Sequence, residues 1–237
     1  MTYYQFFPLG EQALVISFGS DINKETNDLV YQVYTFLKQQ RAPWIIDLVP
    51  AYATLAVHFD ALQLLHHHNT PYAFVKTYIE EQLSQVSSME NAQQPHPIIT
   101  IPVCYGGEFG PDLGHVATIN DFSEEAVIST HSSPLYHVYM IGFSPGFPYL
   151  GGMHTDIATP RRDTPRTSVP AGSVGIAGQQ TGVYPTESPG GWQIIGRTPL
   201  KLFQPESKTP IRLSMGDRIR FYPISASEFA QWEENKA

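Results

Sequence analysis

Glycine is spread so unevenly along this chain that one uniform architecture does not fit it. Of 18 glycines in 237 residues, only Gly10 and Gly19 precede residue 98, and the other sixteen follow it; the prolines divide six to fourteen about the same point. Glycine admits backbone conformations closed to other residues and proline fixes φ, so the second part must turn often and tightly while the first need not. The segment Ser87 to Pro97 (SSMENAQQPHP) is polar, ends in two closely spaced prolines and separates a helical pattern from a strand-like one. We therefore expect a domain over 1–90, a linker over 91–97 and a second domain over 98–237.

In the first part, Ala13 to Phe18 reads as a strand. Asn23 to Gln40 has Leu29, Val33, Phe36 and Leu37 at helical spacing. Ile45 to Val49 and Thr54 to Phe59 form a strand pair, and Thr70-Pro71 opens a helix with Phe74, Val75, Tyr78, Ile79, Leu83 and Val86 on its buried side. With a short extra strand near Tyr3 to Phe7, the order β-α-β-β-α suits a ferredoxin-like α+β domain. The second part opens with a strand, Ile98 to Tyr105. Two short helices follow, capped by Asp112 and by Ser123, the latter ending near His131. From Tyr136 onward, short apolar runs (HVYMIGF, SVGIAG, WQIIG, IRLS, RIRFYPI) alternate with glycine and proline, as in a compact β-barrel.

The charge balance narrows the function. A formal net charge of −8, with no basic run, argues against a nucleic-acid surface. The single cysteine, Cys104, rules out an intramolecular disulfide and a thiolate zinc cage, and it sits in an apparent strand as a buried thiol rather than a nucleophile. The first ten residues lack a basic segment followed by an apolar one, and no window approaches the roughly 18 apolar residues of a membrane span, so a cytoplasmic protein that does not enter the membrane is expected. Consecutive residues point in different directions, so the run His66-His67-His68 reads as solvated surface, and no metal site is expected.

Chemistry is expected between Gly142 and Pro199. Four stretches stand out there: GFSPGFPYLGG (142–152), PRRDTPR (160–166), VPAGSVGIAGQQTGVYP (169–185) and SPGGWQIIGRTP (188–199). Loops of this kind either turn the corners of a small barrel or hold backbone N–H groups in a convergent array for an anion. Arg161, Arg166 and Arg197 add forked cationic donors that grip carboxylate or phosphate, so a small anionic substrate is expected. The binding candidates are Gly142, Gly146, Tyr149, Arg161, Gly178, Gln179, Thr181, Tyr184, Gly190 and Gly191. Arg166 and Arg197 are expected to be catalytic, together with His131, which is either an acid or base near neutral pH or a helix C-terminal histidine favoured by the dipole. Phe143 and Trp192 are either a wall for a ring-shaped substrate or barrel core, and core is preferred for Phe143. Glu108 and Asp112 are either paired carboxylates or a solvated loop charge and a helix cap, and the latter is preferred.

In this order, the four stretches resemble the signature of the KipI / allophanate hydrolase subunit 1 family. The resemblance extends to LGEQALVISF (9–18), VPAY (49–52), IPVCYGGEFGPDLGHVA (101–117) and His131. It implies a ferredoxin-like N-terminal domain and a C-terminal cyclophilin-like β-barrel. It also implies a partner of the KipA type, also called allophanate hydrolase subunit 2 or PxpC, with active sites near the joint surface. The activity implied is that of one subunit of a 5-oxoprolinase, which opens 5-oxoproline to glutamate with ATP and Mg and with a PxpA-type subunit, and which is inactive alone. Other branches of the family inhibit a sporulation sensor histidine kinase or serve biotin-dependent urea and allophanate chemistry. This chain has no biotin-acceptor sequence and no G-x-x-x-x-G-K-[ST] segment, so ATP would bind outside a P-loop or mainly on the partner.

Overall fold

The computed structural model describes residues 4–21, 23–66, 70–86 and 98–234. His67, His68 and the expected linker lie outside them. The chain separates into two compact units, Met1–Pro95 and His96–Ala237.

The first unit holds strands β1 (Gln5–Pro8), β2 (Ala13–Ser17), β3 (Ile45–Pro50) and β4 (Thr54–Phe59), with helices α1 (Lys24–Gln39), α2 (Ala61–Leu65) and α3 (Pro71–Val86). The strands form one antiparallel sheet in the order β1-β2-β4-β3. Alternation decides its faces. Leu55, Val57 and Phe59 of β4 are buried, while Thr54, Ala56 and His58 between them are only half-covered. On α1 the buried positions are Asn27, Val30, Val33 and Leu37; Val33 and Leu37 are as expected, while Leu29 and Phe36 are half-buried. The polar member is Asn27, whose side-chain amide donates to the carbonyls of Ala51 and Tyr52 at 3.3 and 3.0 Å, so it is buried without an unmet donor. On α3, Val75, Ile79 and Leu83 are buried.

The second unit is a closed seven-stranded barrel with helices around it. Its strands are β5 (Ile98–Tyr105), β6 (Tyr136–Ile141), β7 (Pro148–Gly151), β9 (Ser173–Ala177), β10 (Gln180–Val183), β12 (Gln193–Arg197) and β13 (Arg218–Pro223). They close in the order β10-β7-β6-β13-β5-β12-β9. All pairings are antiparallel except β13 with β5. The strands β8 (Arg166–Val169) and β11 (Ser188–Gly190) form a separate ribbon. The run IRLS contributes only a bridge between Phe203 and Ile211. Val103, Val138, Leu150, Val174, Ile176, Ile195, Ile219 and Phe221 belong to one buried apolar cluster. On β9 and β12, the alternate residues Ala177 and Ile194 belong to a second cluster with Phe147, Val169, Tyr184 and Trp192, so these strands are covered on both faces.

Helix α4 (Leu113–Ile119) has no side-chain cap from Asp112, whereas α5 (Glu124–Ser132) begins as expected, with Ser123 Oγ accepting from the Ala126 N–H at 3.1 Å. A last helix, α6 (Ala226–Glu234), was not expected. The residues before it carry its signal. Ser225 and Glu228 form a reciprocal capping box, with the Ser225 N–H donating to Glu228 Oε2 at 2.7 Å and the Glu228 N–H to Ser225 Oγ at 3.3 Å.

Candidate functional site

Asp112, for which the sequence favours a helix cap over a paired carboxylate, is the centre of the candidate site. Its carboxylate is almost fully buried and takes four donors. Arg166 binds it in a fork, Nη1 to Oδ2 and Nη2 to Oδ1, both at 2.8 Å; Arg162 Nη1 reaches Oδ1 at 3.0 Å; and the Ile194 N–H donates to Oδ2 at 2.6 Å. A carboxylate has about four lone-pair positions, so none is left over. Two guanidiniums are thereby held by one anion, and the group keeps a net positive charge. The backbone makes this possible at Gly110: a Cβ there would lie 2.0 Å from the Ile195 carbonyl oxygen, so only glycine lets the 106–112 turn lie against β12 and carry Asp112 to Ile194. The Asp112 N–H also donates to the Ile194 carbonyl at 2.9 Å.

A cleft of about 560 Å³ opens beside this cluster, lined by Asp112, His115, Arg161, Arg162, Asp163 and Gln193 among others. The PRRDTPR segment forms one lip. It is tied down by the Arg162 N–H, which donates to the Gly191 carbonyl at 2.8 Å, and by Gln193 Nε2, which donates to the Pro160 carbonyl at 2.9 Å. Arg161 is exposed and close enough to Tyr149 and Tyr184 to draw their hydroxyl pKa values down, against the larger effect of burial, which raises both. Tyr184 stands edge-on to Phe147, with ring centroids 5.3 Å apart, and Phe147 is edge-on to Trp192 at 5.4 Å. Gly190 is required here as well, because a Cβ would sit 2.4 Å from the Tyr184 hydroxyl.

The structure thus brings together Arg161, Arg166, Tyr149, Tyr184, Gly190 and Gly191. It adds Arg162 and Gln193, which the sequence does not single out, and gives Asp112 a role other than the preferred helix cap. The double arginine of PRRD was visible, but a partner 50 residues away was not. Other candidates lie elsewhere. Arg197 ends β12, about 13 Å along the strand from Gln193, and its Nε donates to the Ala171 carbonyl at 3.0 Å; it does not line the cleft. Gly178 and Gln179 form the exposed turn between β9 and β10, and the Gly178 N–H donates to Thr159 at 2.7 Å. Gly142 and Gly146 bracket a tight turn in which the Gly142 N–H donates to Phe147 and the Phe147 N–H to Ser144. Within that turn Phe143 is 66% exposed with φ +66°, so it is not barrel core. Cys104 is buried, and burial with nearby Glu108 raises its thiol pKa.

The structure corrects the reading of His131 as an acid or base. The ring is fully buried and both nitrogens are taken. Thr181 Oγ1 donates its one proton to the Gly175 carbonyl at 3.0 Å, so it accepts from His131 Nε2–H at 2.9 Å, and Nδ1 accepts from the Tyr105 hydroxyl at 2.8 Å. Burial holds the imidazole pKa down at about 3, and the neutral ring stacks on Phe221 with centroids 4.9 Å apart. Thr181 is engaged in the same chain and is likewise buried.

Comparison with known proteins places this geometry in context. The family model "Carboxyltransferase domain, subdomain C and D" matches residues 4–213. The chain is 46% identical over 235 residues to the B-type subunit of the Bacillus subtilis 5-oxoprolinase, covering 98% of this chain and 97% of that protein. Among solved structures, TTHA0988 superposes with a TM-score of 0.75 at 33% identity; the match covers 91% of this chain and only 40% of that longer one. The urea carboxylase of Kluyveromyces lactis has the same fold, with a TM-score of 0.77 at 18% identity, covering 98% of this chain and 23% of that one.

Proposed function

The chain belongs to the family of carboxyltransferase-domain subdomains C and D, and from that premise we propose that it acts as the B-type subunit of an ATP-dependent 5-oxoprolinase. In this reading it is a cytoplasmic protein that converts 5-oxoproline to L-glutamate with subunits of the A and C types and is inactive alone. Its first unit is ferredoxin-like, and its second is a cyclophilin-like barrel that carries the site.

The observation that carries the reading is the pair Arg162 and Arg166, fixed by one buried carboxylate beside an open cleft. The substrate brings a carboxylate and a cyclic amide, and opening the amide with ATP brings phosphoryl oxygens as well. Guanidiniums already oriented by Asp112 meet such charge without first having to be ordered, which is where electrostatic stabilisation is greatest. Arg161, exposed at the lip and paired with no carboxylate among the described residues, is suited to the substrate carboxylate or to phosphoryl oxygens. Asp112 is fully engaged by donors. This chain's arginines therefore face the phosphoryl oxygens of ATP, and we assign the Mg contacts to the C-type partner. The Tyr149 and Tyr184 hydroxyls, their pKa values raised by burial, remain protonated donors at neutral pH.

The test is glutamate release from 5-oxoproline by this chain assembled with its A- and C-type subunits, with and without ATP. ATP-dependent release is expected; none from the complete set would overturn the reading.

A further inference from the structure

Two polar atoms of the residues lining the cleft have no hydrogen-bond partner, one of each kind: Gln193 Oε1, an acceptor, and Arg162 Nε, a donor, both shielded from solvent. The orientation of the Gln193 amide is fixed. Its Nε2 donates to the Pro160 carbonyl, and a flipped amide would set two carbonyl oxygens against each other, so the free atom is the acceptor. Arg162 spends Nη1 on Asp112 and keeps Nε. Buried donors and acceptors left unmade are costly and rare in folded proteins, and two of them among the residues of one cleft call for a ligand that supplies both partners.

We propose that Gln193 and Arg162 read the amide edge of a lactam, the ring N–H donating to Gln193 Oε1 and the ring carbonyl accepting from Arg162 Nε. A small ring holds its N–H and C=O cis, on one edge, which presents one donor and one acceptor together. A carboxylate presents two acceptors and would set a lone pair against Gln193 Oε1. The Arg162 guanidinium keeps its Nη1 bond to Asp112, and side-chain adjustment of the exposed lip residues Asp163 and Thr164, of the kind common on binding, opens the approach to Nε. The assignment rests on the activity proposed above and adds to it the residues that recognise the scissile amide.

The assembled three-subunit complex is assayed with 5-oxoproline and, as competitor, its γ-lactone counterpart, which has the same ring with oxygen in place of N–H. In the wild-type complex the lactone inhibition constant is expected to exceed the KM for 5-oxoproline by about tenfold or more. In the Gln193→Met complex the gap narrows to within about threefold, a change in preference that mere loosening of the Pro160 lip would not produce. Because the wild-type comparison needs no substitution, a variant that fails to fold leaves the test intact. Equal affinity for lactam and lactone in a wild-type complex that does release glutamate overturns this assignment alone, as does an unchanged gap in Gln193→Met. A wild-type complex that releases no glutamate overturns the proposed activity and this assignment with it.

Discussion

At the scale of single residues, the site turns on a carboxylate whose partners are remote in sequence. Asp112 looks like a helix cap because it precedes α4, yet its donors come from positions 162, 166 and 194. Local pattern cannot show a contact of that span. Removing it leaves two guanidiniums and the Ile194 N–H without their anion. Asp112→Ala should therefore cost about 3 kcal/mol in urea unfolding, at the low end for a broken buried pair because both arginines reach solvent; a change within error of zero would mean the cluster holds nothing in place. His131 makes a second prediction. Its folded pKa of about 3 lies below the unfolded value near 6.5, so the unfolded chain binds the extra proton between those limits. The stability it contributes is complete above pH 6.5 and is lost as pH falls toward 3, by roughly 1.4 kcal/mol per unit. Denaturation midpoints at pH 7 and 5 should differ less in His131→Gln than in the wild type; equal pH slopes would contradict the buried neutral ring.

At the scale of elements, β12 organises the site. Ile195 belongs to the main barrel cluster while Ile194 joins the aromatic one, and its first residue, Gln193, lines the cleft. The WQIIG run was legible as a strand from its apolar residues. That its backbone would be gripped by a glycine turn from 106–112 was not, because Gly110 reads like any other corner glycine. Gly110→Ala should destabilise by about 2 to 3 kcal/mol, since the added methyl meets backbone that cannot swing away. An unaffected thermal midpoint would show that the turn can retreat from β12. The missed helix α6 differs in kind, for its Ser225-to-Glu228 capping box was present in the sequence and was masked by the strand-like run before it. The α1 stripe was misread because Asn27 is buried by hydrogen bonding rather than by hydrophobicity.

At the scale of the molecule, the chain forms two units of different construction, an open four-stranded sheet with helices and a closed barrel, and sixteen of its eighteen glycines lie in the second. Composition and periodicity carried that much because corners and alternation are local properties. They did not carry the gathering of Asp112, Arg162, Arg166 and Gln193 at one cleft, which joins positions 50 to 82 residues apart in sequence. In the function proposed above, these anchored arginines are this chain's contribution to lactam opening. The most direct measurement is the rate of ATP-dependent glutamate formation by the assembled complex containing Arg166→Ala, with assembly and thermal midpoint checked alongside. We expect a fall of about a hundredfold or more with the complex intact, the scale of losing an oriented electrostatic donor; a rate close to that of the wild type would mean that Arg166 takes no part in lactam opening.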